Sequence, residues 1–210
     1  MRMMNYIKFA KQHKKDLVAR IIGDAKPSGD HDVPIAVFAA GIPGAGKTEF
    51  LDRLLAGLTD IVRIDMDEIV KLFDGYTPDK YYMFRGAANI IVDETVIFCL
   101  HHKLDFILDG TFASSHAVEN VRSALKRHEV TIFYVWKDPD LAWQHTKDRQ
   151  LVTKRGVEKA GFIQSCINVP RNLQEVREKF GARVSIVVVE KTSTAMSLIQ
   201  LEIRAVLTIY

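Results

Sequence analysis

Eight residues, Gly41-Ile42-Pro43-Gly44-Ala45-Gly46-Lys47-Thr48, carry the spacing G-x-x-x-x-G-K-[ST] of a phosphate-binding loop. Glycines at those places let the backbone wrap a polyphosphate, and successive N–H groups at a helix start supply partial positive charge. Lys47 would reach the terminal phosphates and the Thr48 hydroxyl a Mg²⁺ ion, with Gly41, Pro43, Gly44, Ala45, Gly46 and Glu49 completing the nucleotide-contacting set. Three further features bear charge suited to phosphoryl transfer. Asp109, directly after Phe106-Ile107-Leu108, has the form of a Walker B acid that holds the metal, or else caps the next helix. Asp65 and Asp67, two apart, point the same way if the chain stays extended, which makes Asp67 the base that takes a proton from an attacking hydroxyl and Asp65 a metal ligand. The competing reading makes Asp67 only the N-cap of a helix through Glu68, Ile69 and Val70. Arg149 and Arg155 flank Gln150-Leu151-Val152-Thr153-Lys154 past a helix that begins at Pro139, where a basic segment can close over phosphates or simply face solvent.

These residues need a scaffold, and the apolar pattern supplies one. Ile35–Ala40 reads as a buried strand feeding the loop, and Thr48–Leu55 as the amphipathic helix leaving it. Short apolar runs at 61–64, 105–109, 130–135 and 184–189 add four strands, separated by helical stretches that include a long helix over 79–103. Strands alternating with helices mean parallel β/α units: an α/β fold of the P-loop NTPase type, a three-layer α/β/α sandwich with a five-stranded, mainly parallel sheet. Ligands bind such sheets at the strands' carboxyl ends, where the loop, Asp65-Met66-Asp67 and Asp109-Gly110-Thr111 all fall. A helix over 4–22, with Ile7, Leu17, Val18, Ile21 and Ile22 apolar, precedes the core through a polar link at 26–32. The expected organisation is one domain over 1–210: helix and linker to 34, kinase-type core over 35–190, and a C-terminal amphipathic helix within 191–210, centred on 194–207.

Composition narrows the partners. A formal charge of +3 from 29 basic and 26 acidic residues lacks the dense basic stripe of a nucleic-acid binder but suits an anionic small molecule. Cys99 and Cys166 stand far apart, without zinc or disulfide spacing, and read as buried reduced thiols. The first ten residues are charged too often for a signal peptide, and no run of about 18 apolar residues occurs, so the expected setting is cytoplasmic, away from membranes. His101 and His102 end the long helix, where they suit the helix dipole and read as surface.

Taken together, the helix ahead of Ile35-Ala36-Val37-Phe38, the loop Gly41–Thr48, Ile64-Asp65-Met66-Asp67, Ile107-Leu108-Asp109-Gly110-Thr111, the Arg149/Arg155 pair and a helix from about Val169 resemble the zeta toxin family of P-loop kinases. The resemblance spans about residues 5 to 190 and implies ATP and Mg²⁺ as cofactors. It implies phosphorylation of a UDP-activated sugar, typically UDP-N-acetylglucosamine at its 3'-hydroxyl, which starves cell-wall synthesis. It also implies that Asp67 is the base, that Arg149 and Arg155 clamp the ATP phosphates, and that Glu94, Asp109 and Thr111 with Asp67 contact the acceptor. Asp109 stands where the family usually has glutamate. A separate helical antitoxin is implied as partner, with the N-terminal helix as its docking surface. Competing readings are an antibiotic-inactivating kinase similar to chloramphenicol phosphotransferases, kinases of NAD or of nucleotide or polynucleotide ends, and a non-catalytic nucleotide switch.

Overall fold

Five strands form one sheet in the order β2-β3-β1-β4-β5, and all four pairings are parallel. The strands are β1 (Ile35–Ala40), β2 (Val62–Asp65), β3 (Phe106–Asp109), β4 (Glu129–Trp136) and β5 (Val184–Glu190). The computed structural model describes residues 5–27, 33–58 and 60–190; the expected C-terminal helix at 194–207 lies outside them. Among the described residues the helices are α1 (Tyr6–Ile22), α2 (Lys47–Leu54), the single turn α3 (Met66–Ile69), α4 (Tyr81–His102), α5 (Ala117–Ala124), α6 (Pro139–Thr153) and α7 (Lys159–Phe180).

The strand sequences explain their places. Alanine, valine and phenylalanine run unbroken through β1, which is buried from Ala36 to Ala40, as a central parallel strand covered on both faces must be. The edge strands β2 and β5 instead mix buried and partly exposed positions. From β1 the chain passes through α2 to β2, two places away, and returns through α3 and α4 to β3 in the gap; α5 then carries it across to β4. Neighbours β1 and β3 thus send their connections to opposite sides, which opens a crevice at their carboxyl ends.

Helix α4 buries Phe84, Ala87, Ala88, Ile91, Thr95 and Cys99, a three-to-four-residue spacing that fixes one face inward. Helix α1 packs along it, capped by the Asn5 side chain accepting from the Lys8 N–H at 3.0 Å. Gly86 faces the Ile7 side chain across this helix pair, where a Cβ would lie at an ordinary contact distance of 3.5 Å; Ile7 itself is 48 % exposed. Tyr6 and Tyr76 pack on Phe84 at 4.3 and 5.6 Å between ring centroids and so pin the start of α4. At its other end His102 stacks on Phe98 at the surface. Cys99 is buried as expected, whereas Cys166 is only half-buried; both are free thiols.

Candidate active site at the carboxyl ends of β1, β2 and β3

Close contact dictates the loop glycines. A Cβ on Gly44 would sit 2.2 Å from the Ala142 carbonyl oxygen, and one on Gly41 2.5 Å from that of Val135, with φ at +79° and +147° respectively. The loop is thereby pressed against α6 and β4 in a backbone shape that L side chains resist. Gly46, at φ +96°, starts α2 with no side chain capping it, leaving the first N–H groups free for an anion. Lys47 folds back and donates from Nζ to the carbonyls of Gly41 at 2.8 Å and Ile42 at 3.0 Å. Burial draws its pKa down to about 8 even though Asp109 and Asp67 pull the other way. An ammonium held by two carbonyls in a buried site is poised to exchange them for phosphate oxygens. Thr48 and Glu49 are exposed on the first turn of α2.

Strand register brings the acids together. Asp65 and Asp109 are direct partners at the ends of β2 and β3. Burial and the Asp109 charge push the Asp65 carboxyl up to about 6. Arg63, two residues before Asp65 on β2, donates to Asp109 at 2.7 Å and to Asp52 of α2 at 2.5 Å, and lies 3.9 Å from Asp65. The extended geometry expected through Asp67 stops at Asp65, because α3 begins at Met66. Asp65 takes the N-cap role considered for Asp67, accepting from the Asp67 N–H at 2.8 Å.

That turn carries Asp67 out to meet two arginines. Arg155 ion-pairs and hydrogen-bonds with the Asp67 carboxylate through its guanidinium, and Arg149 lies 3.7 Å from the same oxygen. Arg149 does not follow α6, as its sequence suggested, but sits within it, since the helix runs on to Thr153; Arg155 lies in the link to α7. Helix α7 likewise begins at Lys159, ten residues before the expected Val169, and carries Pro170 inside. Asp138 spends its carboxylate capping α6.

Thr111 joins the loop by its backbone: the Gly41 N–H donates to its carbonyl at 3.1 Å. The next residue, Phe112, has φ +63°, and α7 holds this turn from outside. Buried Asn172 donates to the carbonyls of Phe112 and Ser114, each at 2.9 Å, and Asn168 to that of Ala113 at 3.1 Å. The structure does not bring Glu94 to this cluster. It pairs with Lys14 of α1 at 2.6 Å and lines a groove between α1 and α4 with Phe98 and His101. Arg63, Asp52 and Asn172 were missed. Only Arg63 left a signal, the alternation of Val62-Arg63-Ile64-Asp65 that sets both charged residues on one face.

The donor set fits a hard cation. Among the described residues no group of three or more His, Cys, Asp or Glu could hold a metal alone. Mg²⁺ in nucleotide sites takes one or two carboxylates and completes its shell with phosphate and water, a need that Asp65, Asp109 and the Thr48 hydroxyl answer. Burial, and after it the Asp109 charge, disfavours an ionised Asp65, and a cation beside the two carboxylates would offset both.

The fold is similar to a structure from the PezAT chromosomal toxin–antitoxin system of Streptococcus pneumoniae, at TM-score 0.65 and 16% identity, covering 99% of this chain and 100% of that one. A putative kinase from Chloroflexus aurantiacus aligns at TM-score 0.58 and 15% identity over 83% of this chain and 98% of that one. A chain of the Pnkp1/Rnl/Hen1 RNA repair complex aligns at 0.53 and 19% over 73% of this chain and 48% of that one. No curated protein matches the sequence. No described helix is long and apolar enough to cross a membrane. The sequence matches the zeta toxin family over residues 19–201, a span that holds the phosphate loop, both aspartate-bearing strand ends and both arginines, and the chain belongs to that family.

Proposed function

We propose that this protein transfers the γ-phosphoryl group of ATP to a hydroxyl of a UDP-activated sugar, with UDP-N-acetylglucosamine as acceptor. Family membership supports the reaction class. The observation that carries it for this chain is the Asp67 carboxylate paired with Arg149 and Arg155 within electrostatic reach of Lys47.

The backbone N–H groups from Gly44 to Thr48 receive the polyphosphate, and Lys47 leaves its two carbonyls for the terminal phosphates. Asp65, Asp109 and Thr48 would hold Mg²⁺, which neutralises charge on the transferring group. Arg63 keeps the Asp109 carboxylate in place. Arg149 and Arg155 exchange the Asp67 carboxylate for phosphate oxygens and stabilise the transition state. Freed of them, Asp67 accepts the proton of the acceptor hydroxyl as its oxygen bonds to the γ-phosphorus and the bond to the β-phosphate oxygen breaks, releasing ADP. A separate antitoxin that silences the kinase belongs to the same proposal, and its recovery with the tagged chain from the native host would support it.

The test is ATP consumption with Mg²⁺ against UDP-sugars, NAD, nucleosides, chloramphenicol and oligonucleotides, with Lys47→Ala as blank. Turnover stimulated by UDP-N-acetylglucosamine, with a phosphorylated sugar seen by mass spectrometry, is the expected result. Turnover only on another acceptor would retain the kinase and discard the sugar.

A further inference from the structure

The two arginines on Asp67 are held differently. Arg149 projects from α6 with 58% of its side chain exposed and stands off at 3.7 Å. Arg155 comes from an irregular link, the weaker support, yet its side chain is only 24% exposed. What confines it is a ring: the guanidinium carbon lies 4.0 Å from the centroid of Tyr81, the first residue of α4. Arg155 is thus layered between an aromatic face and the Asp67 carboxylate, a geometry in which ring quadrupole and carboxylate both attract the cation. Tyr82, the next residue, is 74% exposed and does not share this role. The Tyr81 hydroxyl makes no hydrogen bond among the described residues, so the ring itself does the holding. Packing of Tyr6 and Tyr76 on Phe84 one turn further along fixes the helix start from which the ring projects.

We propose that Tyr81 is a positioning residue for phosphoryl transfer: its ring holds the Arg155 guanidinium at the mouth of the cleft, so that the arginine pivots from Asp67 to the transferring phosphate without leaving the aromatic face. The proposal rests on the kinase reading above. Pre-ordering matters most for Arg155 because a loop arginine otherwise loses rotamer freedom on each catalytic cycle.

The experiment compares the full-length wild type with Tyr81→Phe, Tyr81→Leu, Arg155→Ala and the Tyr81→Leu/Arg155→Ala double variant, using Mg-ATP and UDP-N-acetylglucosamine. Tyr81→Leu is expected to lower kcat about tenfold while moving the KM for ATP less than about threefold, and Tyr81→Phe to retain wild-type turnover. In the Arg155→Ala background, Tyr81→Leu is expected to cost nothing further. Should Tyr81→Leu fail to fold, Tyr81→Met restores the apolar volume without a ring and takes its place. Losses that multiply, or a Phe variant as impaired as Leu, would overturn the assignment. A second arm needs no activity: the Nε–H resonance of Arg155 in ¹⁵N spectra is expected to be ring-current shifted in the wild type and Tyr81→Phe and to lose that shift in Tyr81→Leu. A wild type inert toward ATP would sink the kinase reading, whereas an unshifted Arg155 would sink the Tyr81 contact whatever the activity.

Discussion

Asp67 is held by Arg155 and Arg149, which neutralise the carboxylate that the proposed mechanism makes the proton acceptor. Replacing it with asparagine removes the proton acceptor and should lower kcat about 10²- to 10⁴-fold. A parallel loss of nucleotide binding, read by calorimetry, would instead make Asp67 a metal ligand. Its neighbour Asp65 shows the opposite design, a charge kept at a cost. The unfolded chain ionises at 3.8 and the folded site at about 6. Between those values the folded state binds more protons, so stability falls as pH rises through that window and the whole cost is present above it. Asp65→Asn keeps an N-capping oxygen while removing the charge. In EDTA at pH 7.5 it should stabilise the nucleotide-free protein by about 1–3 kcal/mol, on the order of 2–4 °C of melting temperature per kcal/mol, and leave stability unchanged near pH 3. A variant that melts lower at pH 7.5 would show that Asp65 gains more from Arg63 than it loses to burial. Activity should fall in the same variant, since stability and metal-site charge oppose each other.

At the scale of elements, the five strands and the loop between β1 and α2 were legible because each strand holds a short cluster of β-branched or aromatic residues, unbroken in β1 and interrupted by polar residues in β2, β4 and β5, and the loop's spacing is dictated by backbone contact. Helix ends were not. The exposed faces of α6 and α7 carry Leu141, Leu151, Val152, Ile163 and Ile167, which blur the amphipathic pattern that would mark where each helix starts or stops. That is why Arg149 looked like a loop residue. The surroundings of Glu94 were hidden for a related reason: α4 has apolar residues around much of its circumference, and sequence spacing alone does not show that Glu94 faces α1. Nor does local sequence announce a contact such as Asn172 with Phe112, 60 residues apart. That contact makes α7 the outer support of the turn bearing Thr111. Asn172→Leu leaves two carbonyls of the turn without their donor, at about 1–3 kcal/mol for each group buried unsatisfied. The expected outcome is a lower melting temperature together with a raised KM for acceptor and an unchanged KM for ATP. Equal changes in both KM values would mean that the turn supports the phosphate loop through Gly41 as much as the acceptor side.

Over the whole molecule, charges from β2, α2, α3, β3, α6 and the link to α7 meet partners within the chain: Lys47 on carbonyls, Arg63 on Asp52 and Asp109, Arg155 on Asp67. On the proposed mechanism nucleotide binding is an exchange of partners, and its free energy is reduced by the contacts it breaks. For a ligand that binds only the folded state, a concentration of a hundred times Kd adds about 2.7 kcal/mol of stability, or roughly 5–10 °C for a chain of this size. A non-hydrolysable ATP analogue with Mg²⁺ should produce such a shift in the wild type. The Lys47→Ala variant should show little shift, having lost the cation that meets the terminal phosphates. The Asp67→Asn variant should show a shift at least as large as the wild type, because a neutral amide competes less well for Arg149 and Arg155 and leaves them to the phosphates. Equal stabilisation of all three proteins would mean that the nucleotide binds without engaging the lysine or drawing the arginines from Asp67, and the exchange would have to be abandoned.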